Sequence, residues 1–217
     1  MVKFKFDENI DVIALLALCL SCFLLIKSCY DDFSGSEIVL IAPESIKLFH
    51  KNEKHKGIEY QILTLSAPLS YINNGPKGQD GIVTKELVKL TLGTKSWELK
   101  WDSFVDSTWE NSKVHIKNEK NIGAFPIVGR GTASHETVFI PIVIDAEKNR
   151  GKNFCLWDKH FLTNLTPFSK LSVKFTYRTN SGKESSKCCE AILYENLIES
   201  LKLGGAPIPL KELSCTN

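Results

Sequence analysis

Residues 63–101 read LTLSAPLSYINNGPKGQDGIVTKELVKLTLGTKSWELKW. Leu63, Leu65, Ala67, Leu69 and Tyr71 recur at every second position, the period of a strand that buries one face. Pro68 interrupts this strand and points to an edge, a bulge or a switch between sheets. The run from Asn73 to Gly78 reads as a turn. Val88, Leu90 and Leu92 then alternate with Lys89 and Thr91. Gly93-Thr94-Lys95 is a short hairpin loop into Trp97, Leu99 and Trp101, which alternate with Glu98, Lys100 and Asp102. Both tryptophans are therefore expected in the core.

The same reading extends along the chain. TVFIPIVID, Thr137 to Asp145, is apolar on both faces, as a central strand is. Leu171, Val173, Phe175 and Tyr177 alternate with Ser172, Lys174 and Thr176. Asn180-Ser181-Gly182 turns the chain towards a strand from Cys188 to Tyr194. Asp106 to Asn121 is polar, with only a weak strand signal at Val114 and Ile116. A short helix is expected near Trp157 to Phe161. A second is expected over Glu195 to Leu203, with Leu197, Ile198 and Leu201 on one side and Gly204 as its stop. The Pro-rich tail after Gly205 is expected to be loosely held. Seven or more short strands separated by turns predict a mainly β fold, a β-sandwich with one or two short helices.

The N-terminal part is of another kind. Val12 to Ile26, VIALLALCLSCFLLI, carries no charge, and ten of its fifteen residues are Val, Ile, Leu or Phe. On the insertion scale these ten favour the bilayer by about 3–6 kcal/mol. With Lys27 snorkelling, the stretch to Tyr30 would extend about 28 Å as a helix, near the hydrocarbon thickness. The expected organisation is a tail (1–11), a transmembrane anchor (12–30), a linker (31–36), a sandwich domain (37–203) and a C-terminal tail (204–217). A cleaved signal peptide or lipoprotein signal and a buried core helix are the alternatives. Lys3 and Lys5 precede the run and Lys27 follows it, a balance that favours the N-terminus inside and the globular part outside the cytoplasm.

Net charge is +2 with both signs interspersed, which gives no nucleic-acid footprint. Of the seven cysteines, Cys155, Cys188, Cys189 and Cys215 fall in the globular part. An oxidising compartment would allow disulfides there. A bridge from Cys155 to Cys188 or Cys189 is expected, closing a loop worth about 3–4 kcal/mol. Adjacent Cys188 and Cys189 point to opposite faces of a strand.

The run LSYINNGPKGQDGIVTKELVKLTL resembles the early strands of immunoglobulin-like ectodomains on membrane-anchored bacterial proteins, and TVFIPIVID resembles a central strand of the same kind of domain. The resemblance covers about half the chain. It implies a binding or scaffolding role and carries over no catalytic residue.

Candidate chemistry is sparse. Ser134-His135-Glu136 contains the residue types of a catalytic triad, but neighbours on a strand face opposite ways and cannot form one among themselves. A polar turn is the expected role. Gly129-Arg130-Gly131 lacks the glycines and following Lys of a phosphate loop. It is expected as a mobile surface loop, with Arg130 available to an anionic partner. His50, His55, His115, His135 and His160 show no metal-ligand spacing, and no cofactor motif is present. Trp109, in the polar DSTWENSK, is a candidate binding anchor where exposed, with a place in the core as the other reading. Three readings follow. The first is a membrane-anchored, non-catalytic binding or scaffolding module, contacting the lipid bilayer through Val12 to Ile26 and another envelope protein through Trp109 and Arg130. The second is an envelope hydrolase with a dispersed site. The third is a periplasmic redox or metal-handling protein using Cys188 and Cys189.

Overall fold

The computed structural model describes residues 8–33, 35–55, 58–110, 113–141 and 165–215. Helix α1, Glu8–Phe33, contains the apolar run, and every side chain described on it, from 14 to 29, is exposed. Among the described residues no helix is long and apolar enough to cross a membrane. The span expected over 12–30 therefore rests on its sequence.

The remainder is mainly β. Twelve strands form one antiparallel sheet: β1 (Ile38–Ile41), β2 (Ser45–His55), β3 (Ile58–Asn73), β4 (Gly81–Leu92), β5 (Lys95–Glu110), β6 (Lys113–Asn121), β7 (Phe125–Ile127), β8 (Thr132–Pro141), β9 (Ser169–Thr179), β10 (Glu184–Leu193), β11 (Gly205–Pro209) and β12 (Lys211–Leu213). Along the main path the order is β11-β2-β3-β8-β5-β4-β9-β10-β12. The sheet bends back on itself until it is nearly closed, and the Tyr177 hydroxyl on β9 donates across the interior to the Ile38 carbonyl on β1. Leu65, Ala67, Leu69, Tyr71, Val88, Leu90, Leu99, Leu171, Val173, Phe175 and Tyr177 are buried in one core, as their alternation requires. Trp97 and Trp101 pack against that core while half-buried.

Pro68 lies within β3, where its position has a specific explanation. On one side of β3, β2 pairs as far as Ser66 and β1 resumes at Ser70. Pro68 thus stands opposite the break in the ladder between β1 and β2, where a missing N–H costs least. Gly93 (φ 60°) and Thr94 form the two-residue loop between β4 and β5.

The segment expected to be a loose tail is part of the sheet. Helix α2, Glu195–Leu203, buries Ile198 and Leu201 and ends at Gly204, whose φ of 148° suits glycine. β11 then pairs with β2, and Ala206 and Ile208 are fully buried. After the single residue Leu210, β12 pairs with β10. β11 and β12 occupy opposite ends of the strand order, so one short segment joins the two edges of the sheet. The polar stretch from Asp106 to Asn121 also departs from expectation, because it pairs as the end of β5 and β6. The helix expected near Trp157 to Phe161, and residues 142–145 of the expected central strand, lie outside the described residues.

Candidate functional site, a cleft at the split between two strands

β4 pairs with β5 from Leu92 only as far as Leu87, opposite Lys100. Beyond this point β5 leaves β4 and takes β6 on that edge, with β8 along its other edge, and β4 takes β7 as its partner from Gly81 to Val83. The split opens a cleft of about 370 Å³, lined by Phe104 and Asp106 of β5, Lys120 of β6, Phe125 of β7 and His135 of β8 among others.

Glu86 lies at the root of the split and is 1% exposed. Alternation with Val88 and Leu90 turns it inward, and the register shift between Val83 and Lys85 lets Val83 and Gly81 face inward as well. A buried carboxylate requires donors, and three converge on it. Tyr71 Oη donates at 2.6 Å and Thr137 Oγ1 at 2.9 Å, and His135 Nε2 lies at 3.0 Å. A carboxylate offers only acceptors, so Nε2 carries the proton of this bond. The His135 side chain is 17% exposed and bridges this network to the cleft. Tyr71 stacks on it at 5.8 Å, with Phe104 at 4.4 Å and Phe125 at 4.5 Å between ring centroids. Burial, followed by the negative charge of Glu86, raises the Tyr71 pKa far above the usual phenol range and keeps it a donor.

Ser134 and Glu136 stand on the opposite face of β8, as strand alternation demands. Ser134 Oγ bonds Ser70 Oγ at 2.9 Å, and Glu136 accepts from Lys47 Nζ at 2.9 Å and from Ser66 Oγ. The three consecutive residues do not converge, but the expected polar turn is a strand, and His135 belongs to a network with Glu86. Glu86 was legible in principle: counting back in twos from Leu92, Leu90 and Val88 places a carboxylate on an apolar face.

Arg130 is exposed at φ 61° in a hydrogen-bonded turn. Its N–H donates to the Asn73 carbonyl at 2.9 Å, and that of Gly131 donates to the Val128 carbonyl at 2.8 Å. Gly129 admits no side chain, since a Cβ there would lie 1.9 Å from the Pro76 carbonyl oxygen. Trp109 lies on β5 opposite Val114 in the β5–β6 ladder, and its side chain lies outside what is described. The cleft brings neither residue to its lining.

The cysteines correct the expected pairing. Cys188 is bonded to Cys215, and Cys189 on the other face of β10 is buried and free. Cys188 is thus unavailable to Cys155, which lies outside the described residues. Burial raises the Cys189 thiol to about 11, the reverse of what a reactive thiolate needs. Among the described residues, no group of three or more His, Cys, Asp or Glu side chains is placed to hold a metal ion. His160 lies outside the described residues.

No protein-family model matches the chain, and no curated protein matches it. Among solved structures it is similar to Spo0M, a sporulation control protein from Bacillus subtilis, at 11% identity and a TM-score of 0.30. The match covers 78% of this chain and 55% of that one, so the chain spans about half the length of that protein.

Proposed function

We propose that this chain is a single-pass, membrane-anchored protein whose extracytoplasmic β domain, of the sandwich type seen in immunoglobulin-like ectodomains, binds a partner at the cell envelope without catalysing a reaction. The supporting observation is α1. Leu15, Leu16, Leu18, Leu20, Phe23, Leu24, Leu25 and Ile26 are all exposed, by 56–69%, on every side of the helix. Folded monomers rarely leave so large an apolar surface in water, and a bilayer is its natural solvent. The Cys188–Cys215 bridge fits an oxidising compartment on the far side of the membrane. Arg130 and Trp109 are the proposed partner contacts.

A dispersed-site enzyme has one observation in its favour, the convergence of Glu86, His135 and Tyr71. Among the described residues, however, no hydroxyl or thiol nucleophile is bonded to His135, so binding is the better reading. Full-length protein should remain in the pellet after alkaline carbonate extraction of membranes, and thiol mapping of that fraction should recover the Cys188–Cys215 peptide pair. Release into the supernatant, or a mature protein lacking Val12 to Ile26, would overturn the anchor.

A further inference from the structure

We propose that the end of the sheet where β1 begins is a second membrane contact, with the turn 128–131 seated in the phospholipid headgroup layer, Val128 toward the acyl boundary and Arg130 on a lipid phosphate. This rests on the anchor reading and names the anionic partner of Arg130. The tether between anchor and domain is short. α1 ends at Phe33, and the chain is packed onto the domain from Gly35 onward. A Cβ on Gly75 would stand 3.0 Å from both the Gly35 carbonyl oxygen and Ser36 Cα. Glu37 N–H donates to Asn73 Oδ1 at 3.1 Å, and the Glu37 carbonyl accepts from Asn74 N–H at 2.8 Å. Two residue steps, at most about 7 Å, therefore separate Phe33 from the body of the domain. With the rise of the helix from Tyr30 to Phe33 added, Gly35 lies within about 12 Å of the end of the expected span. A headgroup layer is about 5–7 Å deep on each side of a bilayer. The end of the domain that holds Gly35 is thus kept at the headgroups by chain length alone.

The loops 74–80, 128–131 and 180–183 share this end. The middle one is rigid and amphipathic. Gly129 N–H donates to Asp80 Oδ1 at 3.1 Å, and Gly129 is pressed against the Pro76 carbonyl. Val128 is 58% exposed. The exposed Arg130 guanidinium makes no hydrogen bond or ion pair among the described residues. An apolar tip beside a long cationic side chain suits the membrane interface, where the stem lies along apolar surface and the guanidinium bonds phosphate. The turn is already built, so little ordering is spent on docking it. This end carries both signs, Lys77, Arg130 and Lys183 against Glu37 and Asp80, with Asp31 and Asp32 just before it in the sequence. Its partner surface is therefore specified by phosphate and acyl boundary, which zwitterionic phosphatidylcholine supplies, and not by net negative charge.

The test places a tryptophan at each end of the full-length protein in phosphatidylcholine nanodiscs. Val128→Trp marks the turn. Thr94→Trp marks the exposed β4–β5 loop, about 35 Å away along β4. Emission of the added indole is taken by difference from the parent protein, in discs with and without acyl chains brominated near the headgroup. Bromination should quench the indole at 128, whose emission should also lie to shorter wavelength, and should spare the one at 94. Arg130→Glu added to Val128→Trp should restore part of the lost emission. Lys77→Trp, on the neighbouring loop, gives a second reading that leaves the turn intact and decides the matter where Val128→Trp lowers the melting temperature. No quenching at this end, or quenching equal to that at 94, would overturn the contact. Either result in protein that resists carbonate extraction leaves the anchor standing. Release by carbonate sinks the anchor, and the contact with it, because the tether is what brings this end to the surface.

Discussion

Asn73 shows how much one side chain organises. It is fully buried at the end of β3, and its amide makes four hydrogen bonds. Oδ1 accepts from Gly75 N–H at 2.9 Å and Glu37 N–H at 3.1 Å, and Nδ2 donates to the Gln79 carbonyl at 2.8 Å and the Ile127 carbonyl at 3.0 Å. Its backbone adds the bonds to Gly131 and Arg130. Truncation to Ala strands several buried groups, each costing about 1–3 kcal/mol. Asn73→Ala should therefore lose about 3 kcal/mol or more in urea unfolding, while Asn74→Ala, at an exposed neighbour, should lose far less. The sequence announced a turn here but not its hub, because an Asn-Asn pair does not say which amide points inward. Tyr71 makes a second prediction at this scale. Its raised pKa means that the folded state holds a proton which the unfolded chain releases near the ordinary phenol value of about 10. Its contribution is intact below that pH and is lost as pH rises beyond it. Cys189, at about 11, and Tyr177, also raised by burial, act in the same direction. Unfolding free energy should fall steeply above about pH 9–10, and Tyr71→Phe should flatten that fall while lowering neutral-pH stability by about 1–2 kcal/mol. An unchanged alkaline slope in Tyr71→Phe would refute the linkage.

Among the elements, periodicity was legible wherever one face is buried against one core. β3, β4, β5, β9, β10 and α2 follow their apolar spacing closely. It failed at β6 and at the end of β5, where the residues are polar and the pairing comes from the ladder, and at β11 and β12, where two prolines and a short length mask the strand. Cys188 opposite Leu213 is the register that brings Cys215 within bonding reach, and only pairing between β10 and β12 reveals it. The bridge spans 27 positions, and the chain-entropy model assigns such a loop about 3–4 kcal/mol. Cys215→Ser should lower stability by up to about that amount and should strip hydrogen-exchange protection from 211–213 first. Equal loss of protection throughout β9 and β10 would show instead that the bridge supports the whole edge.

At the scale of the whole molecule, the sequence conveyed a β domain behind an apolar helix, but not the cleft, since Glu86, Phe104, Phe125 and His135 come from four strands whose divergence is a property of the sheet. Deleting residues 205–215 should leave a chain that still holds strand signal by circular dichroism yet binds hydrophobic dyes and unfolds without a sharp transition. A sharp native-like transition would show that the sheet is closed without the segment joining its edges. That segment also has a place in time. It is synthesised after every other described strand, and at about 5–20 residues per second β11 follows β1 by about 10–30 s. At the end of that interval a nascent sheet holding β1 to β10 has two open rims, each a template for stray pairing. On the proposed anchor, the emerging helix has by then been available to the membrane throughout, so the growing domain would wait at a surface for the strand pair that makes it whole.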